Sequence, residues 1–198
     1  MIYVGVDTGA TTGIAIYCTE QRRVLLAGEY TDLLKAKDDI IDIKHSAMMK
    51  GTIVRLAVEG LVLYRTDNTR PGGNVVGEST FAATREVGWW CALFGLLPTG
   101  PHILPNPIIR NLLVGWLPAK MRTEPVVNQY LKDQHGGEDS TRKALEPVEG
   151  TYRKDGSVWR KAVPGRAQGA LWGVSGHAWN ALACAVAAAK RDGFWVAR

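Results

Sequence analysis

Cysteine is scarce in this chain. Its 198 residues hold three, Cys18, Cys91 and Cys184. They stand far apart, are odd in number and form no Cys-x-x-Cys pair, so neither a zinc site nor a disulfide framework is expected. Buried free thiols in a reducing compartment are the simplest account. Long apolar runs are also missing, and none approaches the roughly 20 residues that span a bilayer. The opening Met1 to Asp7 carries no basic leader and no signal-type apolar core. These absences make a cytoplasmic protein with no membrane partner the expectation. An acidic surplus is lacking too: 24 Lys and Arg outnumber 19 Asp and Glu, for a net charge of +5 and a pI near 9.2. That mild excess favours an anionic partner such as nucleic acid, although a protein that is merely basic fits as well.

What is present suffices for a folded protein. With 46% hydrophobic residues the chain can bury a full core, which excludes a disordered polymer. At this length a single domain, 1–198, is expected. No internal repeat is found.

Residues 2–7, 14–17 and 23–30 read as three strands separated by short turns, an antiparallel meander. Thr31 and Asp32 then start a helix that runs through Lys50 and stops at Gly51. Residues 53–58 form the next strand, ending at Glu59-Gly60, so the helix makes a parallel crossover. The Gly- and Asn-rich stretch 64–77 is a loop. Ser79 is expected to cap a helix closed by Gly95, with Gly88 inside it marking close packing. A short strand at 102–104 and helical segments at 107–116 and 124–132 follow. Residues 135–173 are rich in glycine and charge and read as an inserted loop or hairpin. The last helix starts near Ser175 and ends at Lys190-Arg191, with Gly193 as its stop.

Asp7 ends a buried strand and enters a Gly-containing turn, Gly5-Val6-Asp7-Thr8-Gly9 through Gly13. Glycines 9 and 13 would let a phosphate backbone come close, while an Asx turn is the plain structural alternative. Glu59 ends the strand 53–58. If that strand runs parallel to the first, both acids emerge at one sheet edge. Their mutual repulsion would then be relieved by a hard divalent cation. His177 and Asn180 are three apart at the start of the last helix and so share a face. The alanines that follow let that helix lie close to the sheet. Taken alone, His177 is more simply a core or capping histidine.

These residues and their order resemble the RuvC-type Holliday junction resolvases of the RNase H-like superfamily. Gly5-Val6-Asp7-Thr8-Gly9 with Thr12-Gly13-Ile14-Ala15 resembles the family's opening motif. Leu56-Ala57-Val58-Glu59 resembles its second acidic strand, and Ser79 with Arg85-Glu86-Val87-Gly88 the helix after it. His177-Ala178-Trp179-Asn180-Ala181-Leu182-Ala183 resembles its closing His-x-x-Asp-Ala-x-Ala pattern. The match spans nearly the whole chain, and its inserted form resembles the phage-encoded branch. The resemblance implies an α/β fold with a mixed five-stranded sheet, three antiparallel strands and then parallel ones, flanked by helices. It further implies Mg²⁺ or Mn²⁺, two ions per site, held by Asp7, Glu59, His177 and Asn180. Hydrolysis would leave a 5′-phosphate, with the last helix's N-terminus favouring the scissile phosphate. His177 would ligate or relay a proton. The family has an acid where this chain has Asn180, and an amide offers a metal only one oxygen. Either Asp7, Glu59 and His177 are the main ligands, or an acid has been exchanged for an amide, which would hold DNA uncut.

The implied partner is branched DNA such as a four-way junction. Its contacts would come from Thr8 and from Tyr64, Arg65 and Arg70 in the loop after Glu59. In the insertion, Arg142, Lys143, Arg153, Lys154, Arg160 and Lys161 alternate with aromatics; acids there offset much of that charge. Symmetric cutting implies a homodimer, for which the helix with Phe81, Trp89, Trp90 and Phe94 is apolar enough, although core packing explains those aromatics equally. Two rivals remain. Asp7-Thr8-Gly9 with Thr11-Thr12 also resembles the first phosphate loop of actin-like ATPases, but a second phosphate loop is missing and no nucleotide cofactor is expected. A non-catalytic, structure-specific DNA-binding protein is the other.

Overall fold

Strands β1 (Ile2–Asp7) and β2 (Thr12–Cys18) are buried along their whole length. A strand apolar on both sides needs cover on both sides, and the fold supplies it. In a computed structural model, residues 1–9, 11–60, 78–94, 101–142, 145–152, 158–162 and 168–197 are described. They form a five-stranded sheet in the order β3-β2-β1-β4-β5, where β3 is Arg23–Tyr30, β4 Val54–Gly60 and β5 His102–Pro105. Strands β1, β2 and β3 are antiparallel neighbours, whereas β4 runs parallel to β1 and β5 parallel to β4. The mixed α/β sheet is therefore the one expected.

Alternation along the strands separates two cores. Ile2, Val4, Val6, Ile14, Ile16, Leu56 and Val58 pack with Ala36 and Ile40 of α1 (Leu33–Met49) and Trp90 of α2 (Glu78–Phe94). Tyr3, Ala15, Tyr17 and Ala57 face the other way. They pack with α3 (Asn106–Val114), α4 (Glu124–Gln134) and above all α5 (Ala178–Arg191). Trp90 is fully buried with Trp89 against its edge, so core packing accounts for both; the side chains of Phe81 and Phe94 lie outside those described. Strands β6 (Leu145–Tyr152) and β7 (Val158–Ala162) pair antiparallel in a sheet of their own, which makes the insertion a hairpin.

Several expectations need correction. Among the described residues nothing lies within 4 Å of where a Cβ of Gly88 would stand, so they show no close packing there. Helix α2 is already formed at Glu78, which puts Ser79 inside it rather than at its cap. Helix α5 starts at Ala178, three residues after Ser175. At α1, Asp32 does cap: its Oδ1 accepts the Leu34 N–H at 2.9 Å. Gly51 and Gly193 have φ of 66° and 79°, as helix-stopping glycines do. All three cysteines are free, with Cys18 and Cys184 buried and Cys91 partly so. Among the described residues no helix is long and apolar enough to cross a membrane.

Candidate active site

The site grows from the sheet's register. Val6 pairs with Val58 in the parallel β1–β4 ladder, so Asp7 and Glu59 follow side by side. Two-residue periodicity sends both toward the face covered by α5. On the other side Asp7 pairs with Gly13, and Gly13 with Glu29. One row across the sheet thus reads Glu29, Gly13, Asp7, Glu59.

Gly13 is the gap in that row. A Cβ there would overlap the backbone of His177 and Ala178, and one at Gly5 would overlap the Ala181 carbonyl. The helix backbone, not a phosphate, occupies the space that Gly13 leaves, which corrects the role expected of it. Gly9 keeps an open approach, with no atom of the described residues nearer than 3.6 Å to its missing Cβ. Because α5 lies so close, its first residues reach the row. The His177 N–H donates to Glu29 Oε1 at 2.7 Å, and the His177 Nδ1 lies 3.1 Å from Asp7 Oδ2. Asn180 Nδ2 donates to the same oxygen at 3.2 Å. The next two N–H groups, of Ala178 and Trp179, bond to Ser175 and Gly176 carbonyls. The N–H groups of His177, Ala178 and Trp179 are thus all taken by partners within the chain.

Asp7 is 7% exposed. Glu59 accepts a hydrogen bond from Asn106 Nδ2 at 2.9 Å on Oε1, while Oε2 is buried and no N–H or O–H among the described residues donates to it. Burial first, and then the charge of Asp7, push the Glu59 carboxyl up to about 7, against the pull of Asn106 and Arg110. Two close carboxylates with one undonated oxygen make a site short of positive charge, which suits a hard cation. Among the described residues no three His, Cys, Asp or Glu side chains close around a single point. The donor set is open: two carboxylates, an amide and an imidazole. That fits Mg²⁺-type binding through one or two carboxylates, with water and substrate oxygens completing the shell. Behind Glu59 a cavity of about 10 Å³, room for one water, is walled by Asn106, Arg110 and Asn180. A far larger cavity, about 580 Å³, is lined by Met1, Lys50, Thr52 and Phe194 and includes none of these residues.

Of the four predicted site residues, His177 and Asn180 thus contact Asp7, and Glu59 stands beside Asp7 in the sheet. Of the predicted DNA contacts, Thr8 is half-buried beside Asp7. Arg142 is exposed and paired with Asp139 at 3.1 Å. Arg160 and Lys161 fall in β7, their side chains outside those described, and Tyr64, Arg65, Arg70, Lys143, Arg153 and Lys154 lie outside the described residues. Glu29 and Asn106 escaped the sequence reading, and Glu86 entered it only within a motif and with no role. Glu29 alternates out of a strand like any surface acid, Asn106 opens an ordinary helix, and Glu86 stands in an apolar helix, the one signal that was available. No protein-family model, curated protein or solved structure matches the chain.

Proposed function

We propose that the chain is a divalent-cation-dependent endonuclease of the RNase H-like, RuvC-type kind, acting on branched DNA such as a four-way junction. The supporting observation is the placement of Asp7 beside Glu59, whose Oε2 receives no hydrogen bond from the described residues. Asp7 and Glu59, with His177 and Asn180 beside Asp7, would hold Mg²⁺ or Mn²⁺. Such a cation supplies a lowered barrier to deprotonating water and neutralises charge on the leaving oxygen. Asn106 orients Glu59 through its 2.9 Å hydrogen bond. With Nδ1 of His177 facing Asp7, the tautomer that carries its proton there would leave Nε2 to take the attacking water's proton. The phosphodiester then opens to a 5′-phosphate and a 3′-hydroxyl. Two such cuts across a symmetric junction call for a homodimer.

Asn180 favours a second reading. Its NH₂ donates to Asp7 where an acid would add a ligand, so a DNA-binding protein that holds junctions without cutting them shares the same geometry. The experiment is cleavage of a labelled four-way junction in Mg²⁺ or Mn²⁺ by the natural chain, Asp7→Asn and Asn180→Asp. Cutting that Asp7→Asn abolishes, with junction binding retained, is the expected result. Binding with no cutting by any version would leave the second reading. Cutting that survives in Asp7→Asn would remove Asp7 from the site.

A further inference from the structure

We propose that Glu86 is a positioning residue of this site, a buried carboxylate on α2 that ties down the turn leaving Asp7 and so fixes the cation-binding geometry. The inference rests on the nuclease reading above. Glu86 is 6% exposed in a helix packed on the apolar face of the sheet. Burying a carboxylate there is costly unless hydrogen bonds replace its water. Three donors do so. Thr12 Oγ1 donates to Oε1 at 2.6 Å and Trp90 Nε1 to the same oxygen at 3.1 Å, while the Gly9 N–H donates to Oε2 at 3.3 Å.

Those partners explain what the carboxylate is for. Gly9 lies two residues after Asp7, and Thr12, itself buried, is the first residue of β2. One side chain therefore grips both limbs of the Asp7–Thr12 turn. From the other face, His177 and Asn180 hold Asp7 by its Oδ2. The turn is pinned between α2 and α5, although glycine at position 9 would otherwise leave it free to reorient. A leucine in place of Glu86 would fill the core without holding Gly9. Side chains that orient a ligand from behind typically set metal affinity and activity by about 10–100-fold.

The chemistry of the pair suggests the variants. Glutamine at 86 has one acceptor oxygen, so it cannot accept from Thr12 and Trp90 on one side and from Gly9 on the other. Thr12→Val removes one hydroxyl at nearly constant shape, and Thr12→Ser restores it. The test titrates Mn²⁺ against the melting temperature of the natural chain and of Glu86→Gln, Thr12→Val and Thr12→Ser. Junction cleavage is followed over the same Mn²⁺ range. Glu86→Gln and Thr12→Val are expected to raise the half-saturating Mn²⁺ concentration by about 10–100-fold. They should lower kcat with the junction KM little changed, and Thr12→Ser should return most of the Mn²⁺ response. Half-saturation within about twofold of the natural chain in both Glu86→Gln and Thr12→Val would overturn the role of Glu86 and leave the nuclease reading standing. Should Glu86→Gln fail to fold, Thr12→Val decides by the same criterion. No Mn²⁺ response in the natural chain would overturn the nuclease reading, and the role of Glu86 with it.

Discussion

At the scale of single residues, the site is a contest between burial and charge. Glu59 has its folded pKa raised to about 7, above the ordinary 4.5. Between those values the folded chain binds more protons than the unfolded one, so without metal its stability falls as pH rises through that window. Glu59→Gln removes the penalty. Its metal-free melting temperature at pH 8 is expected to exceed that of the natural chain, and the two should converge near pH 4.5. Thermal unfolding in a chelating buffer measures this. Asn180→Asp should act in the opposite sense, placing a third carboxylate beside Asp7. Lower metal-free stability together with tighter Mn²⁺ binding is the expected pair of results, read from melting curves with and without the ion. Unchanged Mn²⁺ affinity would show that position 180 does not face the cation.

At the scale of elements, α5 is the part that assembles the site, and it does so by lying unusually close to the sheet. Ala178, Ala181, Ala185 and their neighbours are buried, and Gly5 and Gly13 leave no side chain beneath them. Close packing of this kind tolerates no added methyl, because the obstacle is helix backbone rather than a flexible side-chain tip. Gly5→Ala is therefore expected to cost about 1–3 kcal/mol or more, measured by urea denaturation. Gly13→Ala would push His177 away from Asp7 and should weaken Mn²⁺ binding as well as stability. The contrast is Gly88→Ala in α2, where a Cβ meets open space; there alanine should stabilise by about 0.5–1 kcal/mol.

At the scale of the whole molecule, α5 is anchored at both ends, by different chemistry. Its N-terminal end meets Glu29 and Asp7. Its C-terminal end meets a single carboxylate, Asp192, which draws in three neighbouring strands. Tyr3 of β1 donates to Asp192 at 2.7 Å, the His102 ring of β5 lies 3.0 Å away, and Arg55 of β4 forms an ion pair. Burial alone would raise the Asp192 carboxyl, but hydrogen bonds from Tyr3 and Arg55 and the charge of His102 outweigh it and hold it below the ordinary range. Its folded pKa is thus depressed, so its contribution is present above about pH 4 and lost as pH falls through the folded value. Asp192→Asn should cost up to about 3–5 kcal/mol at pH 7, the range for breaking a buried ion pair. In urea melts that gap should begin to narrow below about pH 4 and close only below the folded pKa of Asp192; a gap that does not narrow as pH falls would mean the loss is packing rather than charge.

Much of this was legible in the chain itself, for local reasons. Short apolar runs separated by turns marked the meander and β4, because strands and the turns that end them are local chemistry. The parallel placement of Asp7 beside Glu59 followed from strand, helix, strand, since that connection leaves few topologies. Asp32 and Gly193 marked helix ends because caps are local chemistry. What stayed hidden was what depends on distant partners. Gly13 looked like room for a phosphate, and only the packed helix shows that α5 fills it. Glu86 looked like one more acid on a helix until the fold brought Thr12 and Gly9 to it across more than seventy residues of chain. The sequence by itself determined which strands form and in what direction they pair, because backbone propensity and side-chain alternation act over a few residues. The tertiary structure alone decided how closely α5 approaches, and with it which groups meet Asp7. Close packing and hydrogen bonding across the sheet depend on three-dimensional distance, which residue order does not specify.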